Sequence, residues 1–212
     1  MLYDKDIREP LFFFLEERLG RIRIIEEKNM GGSRADVVIV TEEELIGLEI
    51  KSDADTYQRL PGQVKDYDQY FDRNIIAVGS HHAEHVAEHV PTHWGIITID
   101  EIEGKPDFYI LRTPRENSKC SLEKKLSLLW RSELNALVSR HLQYKYEGLS
   151  KRAVAKKLLE QVDEDILNPE ISALLFDRDY TALSPSLKRK YHKKGPRLHV
   201  RHIVRHAGRK RK

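Results

Sequence analysis

Apolar positions along the chain change period several times, and each change marks an element. Leu11, Phe12, Leu15 and Leu19 form one stripe at helical spacing, so Tyr3–Leu19 reads as a helix ending at Gly20. Pro10 is best tolerated near a helix start, which puts the regular part from there on, with Glu9 beside the cap. Arg21–Ile25 then alternates, with Ile22 and Ile24 on one face, as a strand does. Gly31-Gly32-Ser33 is a turn. Ala35–Val40 is a β-branched strand, and Leu45–Lys51 is another beyond the polar loop Thr41–Glu44. Gln58–Phe71 is helical, its start delayed to about Gln63 by Pro61 and Gly62. Asn74–Val78 is a short buried strand, His81–Val90 a short helix stopped by Pro91, and Trp94–Ile99 and Phe108–Leu111 are strands. This α-β-β-β-α-β-α-β order predicts an α/β fold, a mixed sheet with helices packed on it.

The texture changes near Thr113. Leu122–His141 carries Leu126, Leu129, Trp130, Leu134 and Leu137 at helical spacing and reads as one long helix. Lys151–Gln161 is a second helix with Ser150 as its cap, and Ile166–Phe176 a third. The chain divides into a core at residues 1–112, a helical region at 113–180 and a basic, partly disordered tail at 181–212.

Composition sharpens this division. Ser186–Lys212 holds 12 Lys or Arg and no acid, so the net charge of +3 for all 212 residues leaves −9 for residues 1–185. An acidic body with a basic tail suits a protein that meets nucleic acid. No run of eighteen apolar residues is present, which argues against a membrane span, and the charged N-terminus lacks a signal-peptide core. Cys120 stands alone and has no disulfide partner, in keeping with a cytoplasmic setting.

The candidate chemistry lies in the hairpin Ala35–Lys51. If Val40 pairs with Leu45, the register sets Asp36 directly across from Glu49, with Lys51 on the same face. Facing carboxylates repel, and a divalent cation between them removes the repulsion. Magnesium, or manganese, takes one or two carboxylates and completes its shell with water and phosphate oxygens. Lys51 is placed to orient a water and to offset developing negative charge. Ile50 points to the opposite face as core and offers its backbone carbonyl to the same ion.

The segment RADVVIV…LIGLEIKSD resembles the PD-(D/E)XK nuclease core, in which an Asp is followed by Glu-x-Lys on the next strand. The early helix and the Gly-Gly-Ser turn before the Asp are similar to those of archaeal Holliday-junction resolvases. Gln63-Val64-Lys65-Asp66-Tyr67 matches the Gln-x-x-x-Tyr helix of many relatives, and the stretch from Glu49 to Asp72 is similar to a branch of small bacterial and phage proteins. The resemblance covers about residues 1–112. It implies a restriction-endonuclease-like core and a metal-dependent deoxyribonuclease. Asp36 and Glu49 would hold the metal, helped by Glu9, with Glu16, Glu17, Glu26 and Glu27 as weaker claimants for Glu9's role. Gln63 would orient Lys51 or the phosphate, Tyr67 would support its helix, and two copies would pair for duplex cutting. Ala35 replaces the motif's Pro, a common relaxation, and Asp53 and Asp55 are extra acids that the pattern leaves undefined.

DNA contacts are expected from Arg34, Tyr57, Arg59, Lys65 and Tyr67 near the site, and from Lys151 and Arg152 at the entry of the Lys151–Gln161 helix, beside Ser150, Lys156 and Lys157. Tyr144-Lys145-Tyr146 interleaves aromatics with a cation, as a stacking surface or a helix end. Two other readings stay open. A nuclease fold can hold nucleic acid or a partner protein without cutting. His85-Val86-Ala87-Glu88-His89 matches a zinc-peptidase pattern, but the helix is short, the region is His-rich and no third ligand is evident, so a short solvated helix is the plainer reading. His199, His202 and His206 recur in the tail at helical spacing and belong with its cations.

Overall fold

The computed structural model describes residues 2–143 and 146–178 and the backbone of the short strand Leu198–His199. Tyr144 and Lys145, His202 and His206, and nearly all of the expected disordered tail lie outside the described residues.

The elements run α1 (Asp4–Leu19), β1 (Arg23–Met30), β2 (Ser33–Val40), β3 (Leu45–Lys51), α2 (Leu60–Tyr70), β4 (Arg73–Gly79), a 3-10 turn (Ser80–His82), α3 (Val86–His89), β5 (Gly95–Ile102), β6 (Lys105–Arg112), α4 (Leu122–Leu128), α5 (Arg131–His141), α6 (Lys151–Gln161), α7 (Glu164–Asp177) and β7 (Leu198–His199). The sheet order is β6-β5-β4-β3-β2-β1-β7. β1, β2 and β3 form an antiparallel meander, β4 and β5 add parallel to β3, and β6 closes antiparallel. The fold is therefore α/β: a mixed sheet of six main strands flanked by helices, followed by a helical region.

Two apolar layers sandwich the sheet. Ile7, Leu11, Phe12 and Leu15 of α1 cover one face through Ile24, Val37, Leu48 and Ile50. The other face carries Val38, Leu45 and Ile76 under α2, and the same cluster continues through Leu126, Leu134, Leu158 and Ile171 of α4–α7. The helices after residue 112 thus share a core with the sheet.

Several expected elements take different bounds. α1 begins at Asp4 and carries Pro10 inside it. The Asp6 carboxylate accepts the Tyr3 N–H at 3.1 Å, so the first turn is capped well before the proline. β1 runs on to Met30 through Glu26–Asn29, polar residues that the alternation rule passes over. The expected His81–Val90 helix is a 3-10 turn and one turn of α-helix, and the expected long helix breaks at Leu129-Trp130, where the Glu133 carboxylate caps the Trp130 N–H at 2.5 Å. Among the described residues no helix is long and apolar enough to cross a membrane.

Glycine allows the closest packing. A Cβ on Gly47 would lie 2.3 Å from the Phe71 ring and 2.6 Å from the Tyr67 ring, so its absence lets α2 lie directly on β3. Gly31, at φ +52, turns β1 into β2 and donates its N–H to the Tyr70 hydroxyl at 3.0 Å, which ties that hairpin to α2.

Candidate active site

The β2–β3 register is Val40↔Leu45 through Val37↔Leu48, the expected phase, but the expected pair Asp36–Glu49 is not part of the ladder. Regular pairing stops there. Beyond it the Asp36 side chain meets β3, its Oδ2 accepting the Ile50 N–H at 2.9 Å. The Tyr67 hydroxyl enters the opening. It accepts the Asp36 N–H at 3.2 Å and lies 3.1 Å from the Leu48 carbonyl and 2.8 Å from Glu49 Oε2. A buried phenol thus satisfies backbone groups that the parted strands leave unpaired. Burial first, and then Glu49 and Asp36, push its pKa well above the ordinary value, so it stays a donor.

Glu49 is buried, and its Oε1 receives Lys51 Nζ at 2.6 Å and Gln63 Nε2 at 2.5 Å. Gln63 Oε1 in turn accepts from Lys51 Nζ at 3.2 Å. The three side chains form a closed ring that fixes where the ammonium points. Asp36 lies at the mouth of this ring. Burial raises its pKa to about 7, with Glu49 adding to the rise and the Ile50 N–H, Arg8 and Lys51 opposing it. A carboxyl raised by burial and by a second acid beside it marks a place where added positive charge is favourable. Asp36, Glu49 and the Ile50 carbonyl offer hard oxygen donors, the chemistry of Mg2+ rather than of zinc. Among the described residues no cluster of three or more His, Cys, Asp or Glu forms a metal cage, so an ion here would need water or substrate oxygens to complete its shell.

Arg8 crosses from α1 to this place. Its Nε is 2.7 Å from Asp4, its Nη1 is 3.3 Å from both Glu26 and the Asp36 carbonyl, and its Nη2 is 3.1 Å from Glu27 and 3.9 Å from Asp36 Oδ1. Burial works against its charge, but Asp4, Asp36 and Glu27 outweigh burial and raise its pKa. Glu27 has a left-handed backbone at φ +55 and pairs with Arg34 at 2.6 Å. A strained non-glycine residue beside a polar cleft is typical of functional sites. The cleft encloses about 930 Å³ and is lined by Asp36, Glu49, Ile50, Lys51 and Gln63, with Arg8, Glu27, Arg34, Asp55 and Arg59 at its sides.

The family model described as Bacteriophage P4 protein cII matches residues 15–199, most of the chain. The chain belongs to the bacteriophage P4 protein cII family. Protein cII of Enterobacteria phage P4 is 25% identical over 196 residues, covering 91% of this chain and 69% of that protein. No solved structure matches. Within this cII-family chain, Asp36, Glu49, Lys51 and Gln63 fall inside the matched span and Arg8 precedes it.

Of the residues singled out by sequence, Asp36, Glu49, Ile50, Lys51, Gln63, Arg34 and Arg59 meet at the cleft. Others do not. Tyr67 is fully buried and cannot touch nucleic acid, because its ring packs between Phe71 and Trp94 beneath the cleft. Tyr57 is half-buried against His82 and His89 and donates to the His82 carbonyl at 3.3 Å. Lys65 is exposed on α2 without lining the cleft, and Lys151 and Arg152 line a different cavity. Glu9 is also absent from the lining, and the acids beside Arg8 are Asp4, Glu26 and Glu27. Asp53 and Asp55 gain local roles. Asp53 accepts the His81 N–H at 3.2 Å, and Asp55 closes the Ser52 loop through bonds of 2.8 and 2.7 Å. His85 only flanks the four-residue α3 and lies 3.4 Å from Glu88, so the helical zinc pattern does not form. Arg8 was missed by sequence reading, although its spacing from Asp4 was a visible i,i+4 pair.

Proposed function

We propose that the chain is a magnesium- or manganese-dependent nuclease of PD-(D/E)XK type that hydrolyses phosphodiester bonds in DNA. The observation that carries this reading is the convergence of Asp36, Glu49, Lys51 and Gln63 on one open cleft at the point where β2 and β3 part. The element order and the β1–β2–β3 meander leading into parallel β4 support it.

Asp36 and Glu49, with the Ile50 carbonyl, would hold the ion. A bound divalent ion supplies a lowered pKa for water and charge neutralisation at phosphate. The chain's own residues do the rest. Tyr67 and Gln63 fix the two Glu49 oxygens, so the acid cannot rotate away. Gln63 and Glu49 direct the Lys51 ammonium, which orients the attacking water and steadies charge on the phosphate. Arg34 and Arg59 stand at the cleft sides, within the field of an incoming phosphate. A cytoplasmic location and pairing of two copies on a duplex belong to the same proposal.

The test is nicking of supercoiled plasmid with Mg2+ or Mn2+ against an EDTA control, in the wild type and in Lys51→Ala. Metal-dependent nicking lost in Lys51→Ala is the expected result. Salt-sensitive DNA binding with intact plasmid under every metal condition would replace the enzyme by a non-cleaving binding module.

A further inference from the structure

A second cavity lies on the α2 side of the molecule. It encloses about 480 Å³ between α4 and α6, and Lys124, Lys151 and Arg152 stand around it. Tyr70 and Leu126 form part of its floor, and Glu123, paired with Arg152 at 3.4 Å, is the one acid among its lining residues. The lining holds three cations, Lys124, Lys151 and Arg152, against the single acid Glu123. Lys28 of β1 is held down to about 8, first by burial and then by Arg178 and Lys151. Lys151 is lowered for the same reasons, in the same order of burial and Arg178. Three cations around one cavity, with further positive charge from Arg178 behind them, favour an anion at this surface.

The position of this cavity identifies the anion. Tyr70 links the two places: it lines the cationic cavity, and its hydroxyl accepts the N–H of Gly31, which lines the acidic cleft. A strand leaving the cleft over Gly31-Gly32 would therefore arrive at Lys124, Lys151 and Arg152. The body of the protein carries −9 over residues 1–185, so any contact it makes with a phosphate backbone, beyond that of the basic tail, falls to local cation clusters. The apolar floor suits the base and sugar of a nucleotide whose phosphates meet the cationic rim.

We propose that the α4–α6 groove is a binding site for the phosphodiester backbone of the strand that runs out of the acidic cleft. This rests on the nuclease reading for the strand's direction, but it predicts binding whether or not the strand is cut.

The experiment uses the full chain in EDTA, with fluorescence anisotropy of a short and a long fluorescein-labelled oligothymidylate across a salt series. Lys124→Gln/Arg152→Gln, checked for wild-type circular dichroism and Tm, should bind the long oligonucleotide about tenfold more weakly, with a salt slope shallower by about 1.4 for two lost contacts on a single strand. Affinity for the short oligonucleotide should stay within about twofold of wild type. Equal salt slopes in the variant and the wild type would overturn the proposal, and so would equal losses at both lengths. Displacement by polyglutamate at lower concentration than by unlabelled oligothymidylate would reassign the groove to an acidic peptide. The two readings fail separately. A wild type that shows this length dependence but never nicks plasmid refutes the nuclease and keeps the groove. One that nicks while the double variant binds normally refutes the groove alone.

Discussion

At the residue scale the ring Glu49–Lys51–Gln63 sets what the cleft can do. Lys51 and Glu49 are both buried, so each depends on the other for charge compensation. Lys51→Ala should lower stability by about 3–5 kcal/mol, since it strands a buried carboxylate with neutral donors only. Chemical denaturation checks this. The same variant should lose plasmid nicking by at least about 100-fold. Asp36 supplies a prediction of opposite sense from the usual carboxylate. Its pKa is raised by burial and by Glu49 to about 7 in the folded protein, above an ordinary value of 3.8. The folded state therefore binds the extra proton, and this contribution to stability is full below about pH 4 and lost as pH rises through about 7. Tm measured across that window should fall in the wild type more steeply than in Asp36→Asn. Millimolar Mg2+ should flatten the wild-type curve if the cation binds here, because it favours the ionised acid. A wild-type curve identical to that of Asp36→Asn would remove Asp36 from this account.

At the element scale, function depends on how closely α2 lies on β3. Tyr67 and Gln63 reach the site from α2, one helical turn apart, and Gly47 leaves the space that brings the helix down. Gly47→Ala places a methyl group 2.3 Å from Phe71 and 2.6 Å from Tyr67, and ring positions in a packed core yield little. We expect a loss of about 1–3 kcal/mol and a drop in nicking, since displaced Tyr67 releases both Glu49 and the Asp36 backbone. Unchanged stability in urea would show that α2 can lift without cost. At the other end of the chain, Ser150 accepts the Ala153 N–H at 3.2 Å and caps α6 as its position before the helix suggested. Elements with strong local signals kept their expected bounds: β3 and α6 occupy the residues read from sequence. Those that lost them did so through longer-range partners. The extension of β1 into Glu26–Asn29 is stabilised by Arg8, eighteen residues away in the case of Glu26.

At the scale of the whole molecule, the helical region and the sheet form one apolar cluster from Ile25 to Leu175. Lys125, buried, bonds both Asp72 oxygens at 2.8 and 2.6 Å and so ties α4 to the loop between α2 and β4. Asp68 gathers Trp94 at 2.8 Å, His93 at 2.9 Å and Lys119 at 3.2 Å around the foot of α2. Unfolding should therefore be shared. Ile171→Ala, in α7, should cost about 2–5 kcal/mol and lower the transition reported by Trp94 fluorescence in a Trp130→Phe background as much as that seen by circular dichroism. Separate transitions would mean that the helices fold independently of the sheet.

The amino-acid order by itself determined the α/β class, the β2–β3 register and the shared face of Asp36, Glu49 and Lys51. These follow from alternation along one strand and a short polar loop, which are local properties. Gln63 was legible only through the family resemblance, whose Gln-x-x-x-Tyr pattern it matches. Only the tertiary structure decided that Arg8 and Glu27 would stand beside Asp36, that Tyr67 would be sealed beneath the cleft, and that Lys151 and Arg152 would face a separate groove. Each of those outcomes depends on which elements meet in space, and hydrophobic burial sets that across the whole chain without leaving a periodic trace near the residues it brings together.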